Sequence, residues 1–295
     1  MGLFILAGAL LAVPGCSHSD HGNRADNDLT ESLSSALIGT ESIGLCQHHD
    51  PLRRPLFGDL HVHTSFSFDA YLAGTRNDPD TAYEFARGQT IPLPPYDSDG
   101  NATRSAQLAR PLDFAAATDH AEFIGEVSLC TTPGAPGYNS TTCQAFRDTP
   151  TLAFVLWGIP VAGNDPDRFA MCGVGDRRCE SAAADVWQEA IDAANRHYDS
   201  GPECSFTTLV GYEWTGTPGG SMLHRNVIFA NDIVPEAPTS YFEQSEASGL
   251  WTELEAQCLN AGTGCEVLAI PHNPNYSNGQ IFIPPDSLNE AEQRA

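Results

Sequence analysis

Two histidines and two aspartates crowd into one short tract, Gly58-Asp59-Leu60-His61-Val62-His63-Thr64-Ser65-Phe66-Ser67-Phe68-Asp69. In an extended strand alternate side chains share a face, so Asp59, His61 and His63 are expected to project together, with Asp69 folding back from the loop that follows. Imidazole nitrogens and carboxylate oxygens aimed at one point form the donor set of a divalent metal centre. Two histidines at this spacing also occur on half-exposed strands without function, so the tract needs support from elsewhere in the chain.

That support comes from the ends of later apolar, strand-like runs. His120 ends Leu112-Asp113-Phe114-Ala115-Ala116-Ala117-Thr118-Asp119-His120, Glu213 ends Thr208-Leu209-Val210-Gly211-Tyr212-Glu213, and His272 ends Val267-Leu268-Ala269-Ile270-Pro271-His272. His224 instead opens its run, His224-Arg225-Asn226-Val227-Ile228-Phe229. Placing His or Glu at the carboxyl ends of buried strands is how barrel and open α/β enzymes build active sites. Of the 10 histidines, His18, His21, His48 and His49 lie in a polar leader instead. His197 closes an expected helix, where a positive or polar group complements the dipole, and is read as structural.

The elements that must position these groups are legible between them. Asp78 caps a helix with Pro79 at its first position and Gly88 after its end, so that Tyr83 and Ala86 share the inner face. A helix over 181–197 places Val186, Trp187, Ala190, Ile191 and Ala194 at helical spacing, and a third over 250–259 ends at Gly262. These stripes are read as core. About six strand signals alternate with the helices, which indicates an α/β fold but is too few to close a barrel. The stretch 128–180 breaks the alternation and carries Cys130, Cys143, Cys172 and Cys179. It is expected to be a disulfide-stapled insertion over the mouth of the site. Gly216-Thr217-Pro218-Gly219-Gly220 lacks a following helix and is expected to be a turn between strands, not a phosphate loop. The absence of a Gly-x-Ser-x-Gly elbow disfavours serine hydrolysis.

In sequence order, the tract from Asp59 to Ala70 resembles the first motif of the polymerase and histidinol phosphatase (PHP) superfamily, and Thr118-Asp119-His120-Ala121-Glu122-Phe123 resembles its second. The segments Gly211-Tyr212-Glu213-Trp214-Thr215, Leu223-His224-Arg225-Asn226-Val227-Ile228-Phe229 and Ile270-Pro271-His272-Asn273-Pro274-Asn275 resemble one bacterial branch, catalogued as domain of unknown function 3604. The resemblance covers residues 55–285 and is carried by the order of the motifs more than by any one of them. It implies an α/β fold of the distorted (β/α) barrel type. It also implies that His61, His63, Asp69, His120, His224 and His272 are metal ligands, with Glu213 in the place of a carboxylate bridging two ions. The family closes its site with an Asp-x-His pair, and none occurs after His272. Ser287-Leu288-Asn289-Glu290 reads as a capping box opening a helix that Ala295 leaves incomplete, so an incomplete chain is expected. A closed barrel needs about 250 residues or more, and this chain spends much of its length on a leader and loops.

Imidazoles with hard carboxylates suit Zn, Mn or Fe, so two or three divalent ions are expected, a bridged pair lying about 3.5–4 Å apart. The favoured chemistry is hydrolysis of a small phosphate ester by a metal-bound hydroxide. Asp59 and Asp119 are expected to orient imidazoles from behind, and Arg225 or Asn226 to contact the substrate phosphate. Asn226 is favoured by its alternation with His224, Arg225 by its charge. Asp119 alternates away from His120, so a purely structural role is equally open. Two other functions stay open: a surface lipoprotein that binds metal without turnover, and a binuclear hydrolase acting on carbonyl esters or amides.

The formal charge of −24, with 38 acidic against 14 basic residues, argues against a general nucleic-acid surface. It does not oppose a small phosphate ester held by cations, which invert the local field. Residues 1–16 are apolar and too short to span a bilayer. Ending in Gly15-Cys16, they resemble a bacterial lipoprotein signal, so a membrane anchor at Cys16 and a periplasmic or outer-membrane location are expected; a plain signal peptide is the alternative. Residues 17–45 read as a polar linker and 46–295 as the metallohydrolase domain. Apart from Cys16 the cysteines are even in number, as suits an oxidising periplasm, and no CxxC pair suggests a cysteine zinc site. Proximity favours Cys130 with Cys143, Cys172 with Cys179 and Cys258 with Cys265, leaving Cys46 with Cys204.

Overall fold

The site-bearing strands are brought together by two small sheets. In a computed structural model, which describes Cys46 and residues 55–281, β1 (Gly58–Val62) pairs in parallel with β4 (Phe114–Ala117), and β4 with the short β5 (Thr207–Thr208). Parallel strands need a long crossover. Here it contains α1 (Phe68–Leu72), α2 (Pro79–Ala86) and an antiparallel hairpin of β2 (Ile91–Tyr96) and β3 (Ala102–Ala106). The Asp78 side chain accepts the Thr81 N–H at 2.9 Å, capping α2, and Gly88 follows its end with φ +85°. Tyr83 and Ala86 are buried, and the Tyr83 hydroxyl accepts the Ala117 N–H at 3.1 Å, fixing α2 on β4. The hairpin is not announced by periodicity, because Pro92, Pro94 and Pro95 remove donors that an interior strand would need.

The second sheet departs from the expected succession of parallel βα units. β6 (Gly211–Gly216), β7 (Leu223–Phe229) and β8 (Val267–His272) form an antiparallel sheet in that order. The turn from β6 to β7, through a 3-10 turn at Pro218–Gly220, is too short for a parallel crossover. The strands thus divide among three sheets, and no closed barrel forms among the described residues. An isolated parallel bridge between His120 and Glu213 joins the first sheet to the second.

The main core lies beneath both. α6 (Arg177–His197) places Trp187, Ile191 and Ala194 against Ala115, Ala117, Tyr212, Val227 and Phe229. It starts at Arg177 rather than at 181, where Cys179 in its first turn is tied back to Cys172. His197 at its end meets Asp80 Oδ1 at 3.0 Å, which makes it a link to α2. α7 (Ala247–Leu254) runs into a π-helical turn, Glu255–Leu259, before Gly262 at φ +70°.

The insertion contains α3 (Ile124–Thr131), α4 (Thr141–Asp148) and α5 (Pro150–Gly158), packed on their own core of Phe123, Phe146, Trp157 and Met171. Disulfides join Cys130 to Cys143, Cys172 to Cys179, Cys258 to Cys265 and Cys46 to Cys204, the pairing that proximity favours. They point to an oxidising compartment. Among the described residues no helix is long and apolar enough to cross a membrane. The expected leader, the anchor at Cys16, the 17–45 linker and the helix opening at Ser287 lie outside the described residues.

Arg168 ties the insertion to the rest. Its guanidinium donates to Glu126 at 2.8 Å and to Glu243 at 2.7 Å, and the Glu126 side chain is fully buried. Burial pushes Glu126 upward while the charge of Arg168 opposes this. Removing one partner of a buried pair strands the other charge, so Arg168→Met should cost about 3–5 kcal/mol in urea unfolding. An unchanged midpoint would show that the pair does not hold the insertion in place.

Candidate metal centre

A bulge in β1 decides which of its side chains meet. Asp59 pairs with Ala115 and Val62 with Ala117, so β1 takes three steps where β4 takes two. The extra residue breaks the strict alternation between Asp59 and the histidines. Its carboxylate accepts the His61 backbone N–H at 2.9 Å, holding the bulge instead of orienting a ring. His61 and His63 still converge.

They converge on Glu213, whose side chain is fully buried in the middle of β6, not at the strand's end. Its Oε2 lies 3.2 Å from His61 Nε2, 3.0 Å from His63 Nε2 and 3.2 Å from His272 Nε2. Its Oε1 lies 3.5 Å from His120 Nδ1 and touches His224 Nδ1. Asp69, in the first turn of α1 rather than in a loop, approaches His63 Nδ1 at 3.1 Å and His120 Nε2 at 3.8 Å. Antiparallel pairing explains the position of His224: as the second residue of β7 it stands opposite Thr215 on one side and opposite His272, the last residue of β8, on the other.

The electrostatics follow from burial and contact. Burial by itself opposes ionisation of Glu213, but the charge of His120 and the His224 contact outweigh it and hold the carboxyl far below its usual range. Burial likewise disfavours a charged His63. The Asp69 and Glu213 carboxylates, one on each ring nitrogen, nevertheless raise it to about 10. Asp69 is depressed by the same pairing, against its own burial.

Three overlapping groups, His61–His63–Glu213, His63–Asp69–His120 and His120–Glu213–His224, each bring their donor atoms within 4.8 Å and could hold a metal ion. The buried His272 Nε2 faces Glu213 without hydrogen-bond alignment, and Nδ1 has no partner either. A buried imidazole left without a hydrogen bond is costly unless something else takes its lone pair. The donor set therefore fits divalent cations of the Zn, Mn or Fe kind.

Thr215 is the residue that sequence reasoning missed. Its hydroxyl lies 2.9 Å from His120 Nδ1 and 3.0 Å from His224 Nδ1, and donates to Glu213 Oε1 at 2.8 Å. One hydroxyl thus contacts two imidazoles and the carboxylate between them, within the capacity of one donor and two lone pairs. The available signal was alternation, since Thr215 lies two residues beyond Glu213 on the same strand face.

The remaining expected residues act elsewhere. Asp119 accepts the Thr64 N–H and, at 2.8 Å, the Thr64 hydroxyl, so it pins the end of β1 and touches no imidazole. Burial pushes it up to about 6. Arg225 points away from the cluster, with its guanidinium 5.5 Å from the Trp214 ring and 5.9 Å from that of Trp251. Burial lowers it to about 10, which leaves it charged near neutral pH. Asn226 does share the face of Glu213, but its Nδ2 donates to Leu60 O at 2.6 Å and ties β7 to β1. At the rim, the Phe68 ring lies 5.4 Å from His120 and stacks at 6.2 Å on Phe154 of α5, bringing the insertion to the edge of the site.

The fold and the cluster define an α/β protein whose sheets converge on histidines and carboxylates suited to divalent cations. The chain belongs to the family described as protein of unknown function (DUF3604), whose model matches residues 50–294. No curated protein and no solved structure matches it.

In the metal-free protein the His63 ion pairs contribute stability that is fully present below the ordinary imidazole value of 6.5 and is lost as pH rises through about 10. Ligation requires the neutral ring, so zinc loading near neutral pH should release protons, seen as calorimetric heat that varies with the buffer's ionisation enthalpy. Heat independent of the buffer would contradict a protonated cluster. Thr215→Val should weaken metal binding by about 10–100-fold, with Thr215→Ser restoring it. Equal affinity in the valine variant would remove Thr215 from the ligand-orienting network.

Proposed function

We propose that this protein is a metal-dependent hydrolase, a phosphoesterase acting on a small phosphate ester with two or three divalent ions. One observation carries the proposal: both oxygens of a fully buried Glu213 are shared among imidazoles from four separate segments of chain. A carboxylate so placed suits the bridge of a polynuclear centre. The motif resemblance to the PHP superfamily supports the same function. The bridge from His120 to Glu213 and the Asn226 link to Leu60 are compatible with an open portion of such a barrel.

His61, His63 and His272 would serve one side of Glu213, His120 and His224 the other, and Asp69 would complete the group around His63 and His120. Ions bound there would lower the pKa of coordinated water and offset charge developing on a phosphoester oxygen. The chain's own residues prepare the site. Thr215 restrains the rings of His120 and His224, Asp119 and Asp59 hold the end and the bulge of β1, and Phe68 shields the His120 side from solvent. His61, with its side chain 46% exposed, and Asp69, at 34%, mark the open side from which substrate enters. Oxidising conditions and the lipoprotein-like leader support a place in the cell envelope with an anchor at Cys16. The charge of −24 disfavours nucleic acid as substrate.

The metal-loaded full chain should turn over a chromogenic phosphodiester, with activity abolished by a chelator and by Glu213→Gln, while His61→Ala with His120→Ala should strip the metal. Retained metal without turnover of either phosphate or carboxylate esters would leave a metal-binding protein. Turnover of carboxylate esters alone would move the chemistry from phosphorus to carbon.

A further inference from the structure

A cavity of about 500 Å³ lies beside β1, between β4, α2 and the β2–β3 hairpin, and its wall includes His61 and His63. Its body is apolar, formed by Phe85, Ile91, Leu93, Leu108 and Leu112. Polar groups gather in Asp59, Thr64, Thr75, Asn77 and the two histidines, and no Lys or Arg is among the described residues that line it. A volume of this order is typical of small-molecule sites, which are usually apolar with a few polar groups that fix orientation, and range over about 300–1,000 Å³. Away from the histidine end the cavity offers no cation to hold an anionic group. What it offers is room for an uncharged, apolar one, next to the strand that carries two of the candidate ligands.

We propose that the substrate is an ester bearing an aryl or branched alkyl group, which occupies this cavity while its reacting group lies at the His61–His63 end. This rests on the hydrolase function proposed above for the identity of the reacting group. The cavity itself selects by shape and hydrophobicity. Part of the selection comes from the hairpin, whose Leu93 and the following Leu108 are only half-buried and line the cavity.

The test reads binding, not turnover. Zinc-loaded full-length protein is titrated with phenylphosphonate and with methylphosphonate, which share an anionic head and are not esters. Phenylphosphonate should bind roughly tenfold tighter or more, the scale on which apolar pockets discriminate. Ala82→Phe, which fills the cavity from α2, should abolish the preference and leave methylphosphonate affinity unchanged. Leu93→Gln, at a half-exposed position of the hairpin, should reduce the preference without disturbing the core. Equal affinities in the unaltered protein, no binding of either compound, or a preference that survives Ala82→Phe would overturn the proposal. The hydrolase function fails in a different way, by a phenyl preference that obeys both variants while no ester is cleaved.

Discussion

A carboxylate withdrawn completely from water is costly unless opposite charge or directed hydrogen bonds replace its hydration, and Glu213 sets this requirement at the centre of the protein. The imidazoles that meet it come from β1, from the end of the β4 segment, from β7 and from β8. Glu213 can sit in the interior of β6 only because these four segments deliver their rings to its two oxygens. The antiparallel register of the second sheet follows the same constraint, for it places His224 and His272 side by side although one lies near the start of its strand and the other ends it. A sheet assembled in another register would leave the carboxylate buried and unpaired.

The surrounding structure limits how far these rings can move. The bulge in β1 is held by Asp59, and its end by the buried Asp119 on Thr64. Thr215 restrains two imidazoles with one hydroxyl, and Asn226 fastens β7 to β1 across a gap that no backbone ladder closes. Positioning of this kind matters for metal chemistry, because groups behind the ligands orient them and tune their basicity. The insertion adds a separate, disulfide-bonded core, which the Arg168–Glu243 ion pair joins to the segment preceding α7.

Charge and hydrophobicity divide the labour around the cluster. The strongly acidic surface offers no attraction to a polyanion at a distance, whereas cations at the cluster would reverse the field locally. The adjacent cavity, apolar over most of its wall, supplies the opposite kind of selectivity. A substrate suited to both would carry its charge at one end only.

Residue type and local periodicity were enough to single out the histidines, Asp69 and Glu213, the α2 cap at Asp78, the buried stripe of α6 and the disulfide partners that lie close in sequence. Each is a property of a short stretch of chain. Pairing partners are not local, and the tertiary structure alone decided what depends on them: the docking of β8 on β7, the proline-rich hairpin, and the bulge that breaks the alternation between Asp59 and the histidines. Arg225 facing the tryptophans and Thr215 facing the imidazoles belong to the same class. The physical reason is the period of two along a strand: one residue of register exchanges every side chain between faces, and register depends on the turn and on the strand it pairs with as well as on the strand's own hydrophobic pattern.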